Sequence, residues 1–307
     1  MRLRLIRFAS LLLLVSSVGC FSSSDAGRNI LVWDNVLGSQ IRQDLHQLAA
    51  EVGLGHRVFR RSQTSNLIER TLDAVLKEIG DGEEFVEYWS RQEWRHIEAH
   101  ADVDENLAKE WDRTGDSGYR YPKKGHVLYL QVGSDVRGPT CVFDCSTGGD
   151  LAGREQVNVA TVPAVEGRLL RFEGSLLHAV PRPTDLWFLS YVKGSPDFEP
   201  KEVWGRSVIL FNTWSHPPTD LSMNDANCPD DQSGNDMLCN KMDEWQQQMI
   251  ENFSENGEGN ATARVWLLGN QRRRHHLYRT VKLSAPGALR SMLHEKTRPG
   301  TLSLRKI

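Results

Sequence analysis

Cysteine is scarce in the 307-residue chain: there are five, and one of them, Cys20, sits beside the N-terminal apolar stretch. The other four are Cys141, Cys145, Cys228 and Cys239, spaced C-x3-C and C-x10-C. Those intervals do not match the close-set pairs of a four-cysteine zinc site. An even number fits two disulfides, in one of three pairings, if the chain matures in an oxidising compartment. Charge of one sign is lacking too. The formal net charge is −3, and the basic run "RRRHH" at 272–276 is short. A nucleic-acid footprint needs a broader basic face, so no nucleic-acid partner is expected. No apolar run after the N-terminus approaches the roughly 20 residues of a spanning helix. There is no internal repeat.

The N-terminus is a different text. Arg2, Arg4 and Arg7 precede an apolar run from Phe8 to Gly19, and small residues follow, among them Ser22 to Ser24. This is the layout of a secretory signal peptide over residues 1–24, which predicts a location in the secretory pathway, either the endoplasmic reticulum lumen or outside the cell. Two alternatives are an uncleaved signal-anchor and lipidation of Cys20, although "SVGC" carries Ser17 where a lipoprotein box usually has leucine. After cleavage no stable membrane span is expected. Asn252-Phe253-Ser254 and Asn260-Ala261-Thr262 are glycosylation sequons.

Residues 38–80 read as helices, from the spacing of Leu45, Leu48 and Ala49 and of Leu67, Leu72, Val75 and Leu76. From about residue 125 the period changes. "GHVLYLQVG", "TCVFD", "QVNVATV", "RLLRF", "LLHAV", "DLWFLSYV" and "RSVILFNTW" are short runs rich in β-branched and aromatic residues. They predict a sandwich or barrel, with "SDVRGP" and "PAVEG" as hairpin connections. Beyond Trp214 the composition becomes loop-like. A short helix is expected over 236–250, and strands in "ARVWLLGN" and "HHLYRTVKLS".

The stretch "RHIEAHADVDE", residues 95–105, holds two histidines and four carboxylates. A zinc-peptidase helix would need H-E-x-x-H, and here Glu98 falls two positions after His96, on another face of a helix. On an extended segment residues i and i+2 share a side. His96 with Glu98, or His100 with Asp102, can then converge on one ion, and a distant histidine completes the two-histidine, one-carboxylate face of a non-haem iron site. Parity does not choose between the pairs, but reach forbids both, because their midpoints lie roughly 13 Å apart on a strand. Further along, "GRLLRFEGSLLHAVPRP" sets His178 after an apolar strand, and "GRSVILFNTW" sets Arg206 at the head of another. An inward arginine is costly unless it meets an anion, and a carboxylate fits its fork.

With these motifs in order, residues 95–214 resemble the iron(II)- and 2-oxoglutarate-dependent dioxygenase superfamily, and within it the prolyl 4-hydroxylase-like branch. The resemblance implies an α+β fold: a double-stranded β-helix (jelly-roll) barrel at 95–220, an N-terminal helical support region at 25–94 packed on it, and a C-terminal extension at 221–307. It implies His100, Asp102 and His178 as ligands of Fe(2+). Arg206 and Tyr129 would hold the far carboxylate of the 2-oxoglutarate cosubstrate, and Thr140 would line the same pocket. It implies hydroxylation of a C–H bond in a peptide or protein substrate, prolyl first, with release of succinate and CO2 and with ascorbate as a supporting reductant. Two departures stand out. The branch usually carries lysine where Arg206 stands, and a long segment, "TDLWFLSYVKGSPDFEPKEVW", separates His178 from Arg206. Arg182 lies closer to His178, but in a "PRP" context unsuited to a strand. Two other classes are a non-catalytic secreted β-barrel binding protein of the same fold and a secreted structural glycoprotein with incidental histidines. His126 reads as structural, His216 as a loop residue, Trp187, Trp204 and Trp214 as packing, and Phe172 as core.

Overall fold

The computed structural model describes residues 30–52, 55–92, 97–114, 119–133, 139–146, 156–180, 206–219, 221, 238–252, 260–265, 279–284 and 298–306. The expected signal segment, Cys20, Cys228, His96, Arg182, Trp187, Trp204 and the strand read in "DLWFLSYV" lie outside the described residues.

Strands β1 (Ile30–Asp34), β2 (Arg57–Arg60), β3 (Phe85–Arg91), β5 (Lys124–Val132), β8 (Leu169–Glu173), β10 (Arg206–Trp214) and β11 (Gln246–Gln247) form one sheet. Its order is β11-β1-β8-β5-β10-β3-β2, and every pairing is antiparallel. A second sheet holds β4 (Ile97–His100), β6 (Thr140–Phe143), β7 (Gln156–Val162), β9 (His178–Val180), β12 (Glu251–Asn252), β13 (Asn260–Val265), β14 (Arg279–Ser284) and β15 (Gly300–Lys306). Its order is β12-β15-β14-β13-β4-β9-β6-β7, and β15 pairs back onto β7, so the sheet closes on itself. Two mostly antiparallel sheets are consistent with the jelly-roll expectation.

Three helices are described: α1 (Ser39–Val52), α2 (Leu67–Glu78) and α3 (Glu105–Thr114). The α2 start is closed in both directions. The Asn66 side chain accepts from the Glu69 amide at 3.0 Å, and the Glu69 carboxylate accepts from the Ser65 amide at 2.7 Å. Leu45 and Ala49 of α1 and Ile68, Leu72, Val75 and Leu76 of α2 share a buried cluster with Phe59, Val86, Leu128, Leu130, Ile209 and Phe211 of the larger sheet. The opposite face of that sheet buries Val32, Trp89, Val127, Tyr129, Leu170, Phe172, Val208 and Leu210 against Val142, Ala160 and Val162 of the second sheet. Odd and even positions of β5 therefore serve different cores. All nine residues of β10 are buried because both of its faces are covered.

Four expectations need correction. The helical reading of 38–80 runs through β2, whose four residues are too short for a period to show. The same N-terminal region also supplies β1 and β3 to the larger sheet. "SDVRGP" and "PAVEG" do not join hydrogen-bonded neighbours: each carries the chain from one sheet to the other, β5 to β6 and β7 to β8. At the end of "PAVEG", Gly167 takes φ +73°, a left-handed conformation suited to glycine. There the buried Arg168 forks onto Asp34 with contacts of 2.6 and 2.9 Å. The helix expected over 236–250 is instead a 3-10 turn (Met242–Glu244) followed by β11. Its apolar spacing is outweighed by the open edge of β1, which accepts from the Gln248 amide at 2.8 Å, and by the edge-on contact of Trp245 with Trp33.

Cys141, Cys145 and Cys239 are buried, and the fourth cysteine of the disulfide expectation, Cys228, lies outside the described residues. Of the strands expected in "ARVWLLGN" and "HHLYRTVKLS", residues 263–265 fall in β13 and 279–284 in β14, the rest lying outside the described residues, and with β15 these strands extend the second sheet beside β4.

Candidate metal centre

Strands β4 and β9 are antiparallel neighbours, and their register sets His100 directly opposite His178. The two rings lie 4.4 Å apart. Asp102 follows two positions after His100, just past the end of β4, where the i, i+2 relation keeps it on the same side. One Asp102 oxygen is 3.7 Å from His100 Nε2, and the other is 3.8 Å from His178 Nε2. One donor atom from each residue falls within 4.8 Å of the others, and this is the one such group of three among the described residues.

Each donor has its own support. His178 Nδ1 lies 3.2 Å from the Leu176 carbonyl, a contact that orients the ring so that Nε2 faces Asp102. Asn212 on β10 donates from Nδ2 to Asp102 Oδ2 at 3.1 Å. Burial alone would raise the pKa of Asp102. The His178 and His100 imidazoles and the Asn212 amide outweigh it and hold the carboxylate below its ordinary range. The Phe172 ring stands 4.9 Å from the His178 ring and closes the apolar side.

The segment carrying Asp102 is anchored by the next carboxylate. Buried Asp104 accepts from the Leu107 amide at 3.1 Å, in the first turn of α3, and from the Thr219 amide and hydroxyl at 2.9 Å each. Arg120 completes its shell. Burial would raise the pKa of Asp104, but these donors more than offset it and lower it. The position could be read in the sequence: an aspartate immediately before a helical run is an N-cap signal.

The expected cosubstrate residues also gather. Arg206, the first residue of β10, is 3 % exposed, and its guanidinium lies 5.2 Å from the centroid of the Tyr129 ring. The Tyr129 hydroxyl and Thr140 Oγ1 are 2.7 Å apart. Burial lowers the pKa of Arg206 from its usual value, partly opposed by the neighbouring Tyr129 and Cys141. Two positions beyond Thr140 on β6, Val142 stands opposite His178. Arg206 and Asn212 share one face of β10, so a single strand joins the basic end of the interior to the Asp102 end.

Of the expected site residues, the structure therefore brings His100, Asp102 and His178 together at one end of the interior. Arg206, Tyr129 and Thr140 meet at the other. His96 is not described, nor is the side chain of Glu98. His126 is a neutral core group: it stacks on Phe211 at 4.4 Å, and burial, reinforced by the Arg171 charge, pushes its pKa down to about 3. His216 is exposed in a turn, and Phe172 and Trp214 are buried. Asn212 was missed by sequence reasoning, since a lone asparagine in an apolar strand announces nothing until its partner is known.

The donor set suits a divalent metal. Contacts of 3.7 and 3.8 Å exceed a hydrogen bond, so the three donors are not consumed by one another. Two imidazoles and a carboxylate that converge on one point are the donor set of a non-haem iron(II) site.

No protein-family model matches the chain, and no curated protein sequence matches it. Solved structures do. HygX from Streptomyces hygroscopicus with iron bound is 12% identical, with 62% of this chain and 86% of that chain covered and a TM-score of 0.36. A Pseudomonas putida prolyl-4-hydroxylase is 14% identical, with 62% and 88% covered and a TM-score of 0.36. EctD from S. alaskensis with bound Fe is 13% identical, with 63% and 77% covered and a TM-score of 0.37. These values are too low to bear on this chain's chemistry, which rests on its own side chains.

Proposed function

We propose that this chain is an iron(II)- and 2-oxoglutarate-dependent oxygenase that hydroxylates a C–H bond of a peptidyl residue, prolyl first. The observation that carries this reading is the meeting of His100, Asp102 and His178 within 4.8 Å, from two paired strands and the turn after one of them. In this reading those three side chains hold iron(II), and Arg206, with Tyr129 and Thr140, receives the distal carboxylate of 2-oxoglutarate. Iron(II) and the keto acid supply, with dioxygen, the oxidising power for hydroxylation, coupled to formation of succinate and CO2.

The protein's own part is position and dryness. Leu176 orients the ring of His178, and Asn212 orients Asp102. Between the two ends, Val142, Val208 and Leu210 keep water from the interior, which strengthens the charge contact at Arg206. A peptidyl substrate and ascorbate as the reductant are supported by the secretory layout of residues 1–24 and by the resemblance of residues 95–214.

The test is succinate release from 2-oxoglutarate with iron(II), ascorbate and a panel of proline-containing peptides. Release stimulated by a peptide, and abolished in His178→Ala, is the expected result. Metal binding without succinate release under any condition would overturn the reading and favour a non-catalytic binding protein of this fold.

A further inference from the structure

On the larger sheet, the register of β3 sets Glu87 directly opposite Asn212, the residue that holds Asp102. Both oxygens of this buried carboxylate are engaged. Oε2 accepts from the Trp214 indole at 3.1 Å, and Oε1 lies 2.7 Å from Nδ1 of His56. The His56 imidazole also lies flat on Trp89, with centroids 4.4 Å apart and planes 5° from parallel. Trp89 belongs to the interior cluster of Tyr129, Val208 and Leu210. His56 is thus fixed on two sides by buried groups, yet 41% of its side-chain surface is exposed. Its Nε2 has no hydrogen-bond partner among the described residues. Through Glu87, which stands opposite Asn212, His56 lies on the same side of the larger sheet as Asp102.

The Glu87 carboxylate fixes the ring angle of His56, and the Trp89 indole fixes its plane. Such double fixing is the way an imidazole is aimed. We propose that His56 is a substrate-binding residue of the metal centre, whose Nε2 hydrogen-bonds a main-chain amide of the substrate next to the residue that reacts. The proposal rests on the oxygenase reading above and adds the recognition chemistry. The Glu87 carboxylate against the ring disfavours an anionic ligand. An amide is neutral, and it meets Nε2 in either protonation state: its carbonyl accepts from imidazolium, and its N–H donates to imidazole. Glu87 and Trp89 act through His56 as positioning residues.

The experiment uses the full chain loaded with manganese(II) and 2-oxoglutarate. End-blocked Gly-Pro-Gly and Gly-Ala-Gly peptides serve as probes, and binding is read as metal-induced relaxation of the peptide protons. His56→Phe keeps a flat ring on Trp89 and removes Nε2. It is expected to weaken peptide binding about fivefold or more, the loss of one hydrogen bond, while manganese affinity is retained. His56→Gln, which can donate and accept, is expected to recover part of the loss. Peptide binding to His56→Phe at wild-type strength overturns the proposal. So does loss of manganese affinity in that variant, which would make the role structural, and so does failure of every blocked peptide to bind the wild type near the metal. Succinate release by the wild type decides the oxygenase reading separately, so a failure at His56 alone leaves that reading standing.

Discussion

Replacing Gly125 with alanine tests how tightly the core supports the metal centre. Gly125 lies on β5 between Asn212 of β10 and Phe172 of β8. A methyl group there would stand 2.7 Å from Cζ and 2.8 Å from Cε2 of the Phe172 ring. That ring is 2 % exposed, packed on its other side against His178 at 4.9 Å. It yields toward the imidazole or forces β5 from β8, and neither is cheap in a filled interior. Overpacking of this kind costs about 1–3 kcal/mol. For a chain of this size that is a fall in Tm of about 2–10 °C. Because the displaced ring bears on a candidate ligand, metal affinity is expected to fall by about tenfold, as when a ligand's support is disturbed. Thermal unfolding followed by circular dichroism, with a manganese(II) titration on the same samples, reads both effects. Adding Phe172→Leu should return part of the stability, so the double variant is less destabilised than the two single losses summed. Wild-type Tm and wild-type metal affinity in Gly125→Ala would refute the packing account.

Two further outcomes follow from the charged groups. Asp104→Ala strands Arg120 and the Leu107 and Thr219 donors, and is expected to cost about 3 kcal/mol in urea unfolding at pH 7. The folded pKa of Asp104 is depressed, so its contribution is full above the ordinary carboxylate value of about 4 and is lost as pH falls through the lower folded value. The stability gap between wild type and Asp104→Asn should therefore close in acid, and a gap independent of pH would contradict the assigned contacts. Arg206→Gln is expected to raise the KM for 2-oxoglutarate by about tenfold or more, with a smaller change in kcat, since a charged fork is lost from binding. An unchanged KM would move the carboxylate contact to another cation.

Much of the centre was legible because its parts carry local signals. Parity on an extended segment admitted His100 with Asp102 as well as His96 with Glu98, the family resemblance chose the former, and Arg206 heads an apolar strand where a buried charge needs a reason. What the sequence left open was which elements are neighbours. The pairing of β4 with β9 makes His100 face His178 across 78 positions of chain, and no local pattern states that register. The helices α1 and α2 showed in their apolar period, whereas β2, a four-residue strand between them, was too short to interrupt it. The segment after residue 236 misled because its helical spacing competes with the open edge of β1, a tertiary partner invisible in the local pattern. His56 and Glu87 were missed for the same reason: their meaning comes from β2 and β3 lying beside β10.

The most direct measurement is an anaerobic iron(II) titration of the wild-type chain beside His100→Ala, Asp102→Ala, His178→Ala and His96→Ala. A single equivalent should bind to the wild type and to His96→Ala, and binding should be lost or severely weakened in each of the other three. Wild-type affinity in His178→Ala, or a loss in His96→Ala equal to that in His100→Ala, would contradict the metal centre described for this fold.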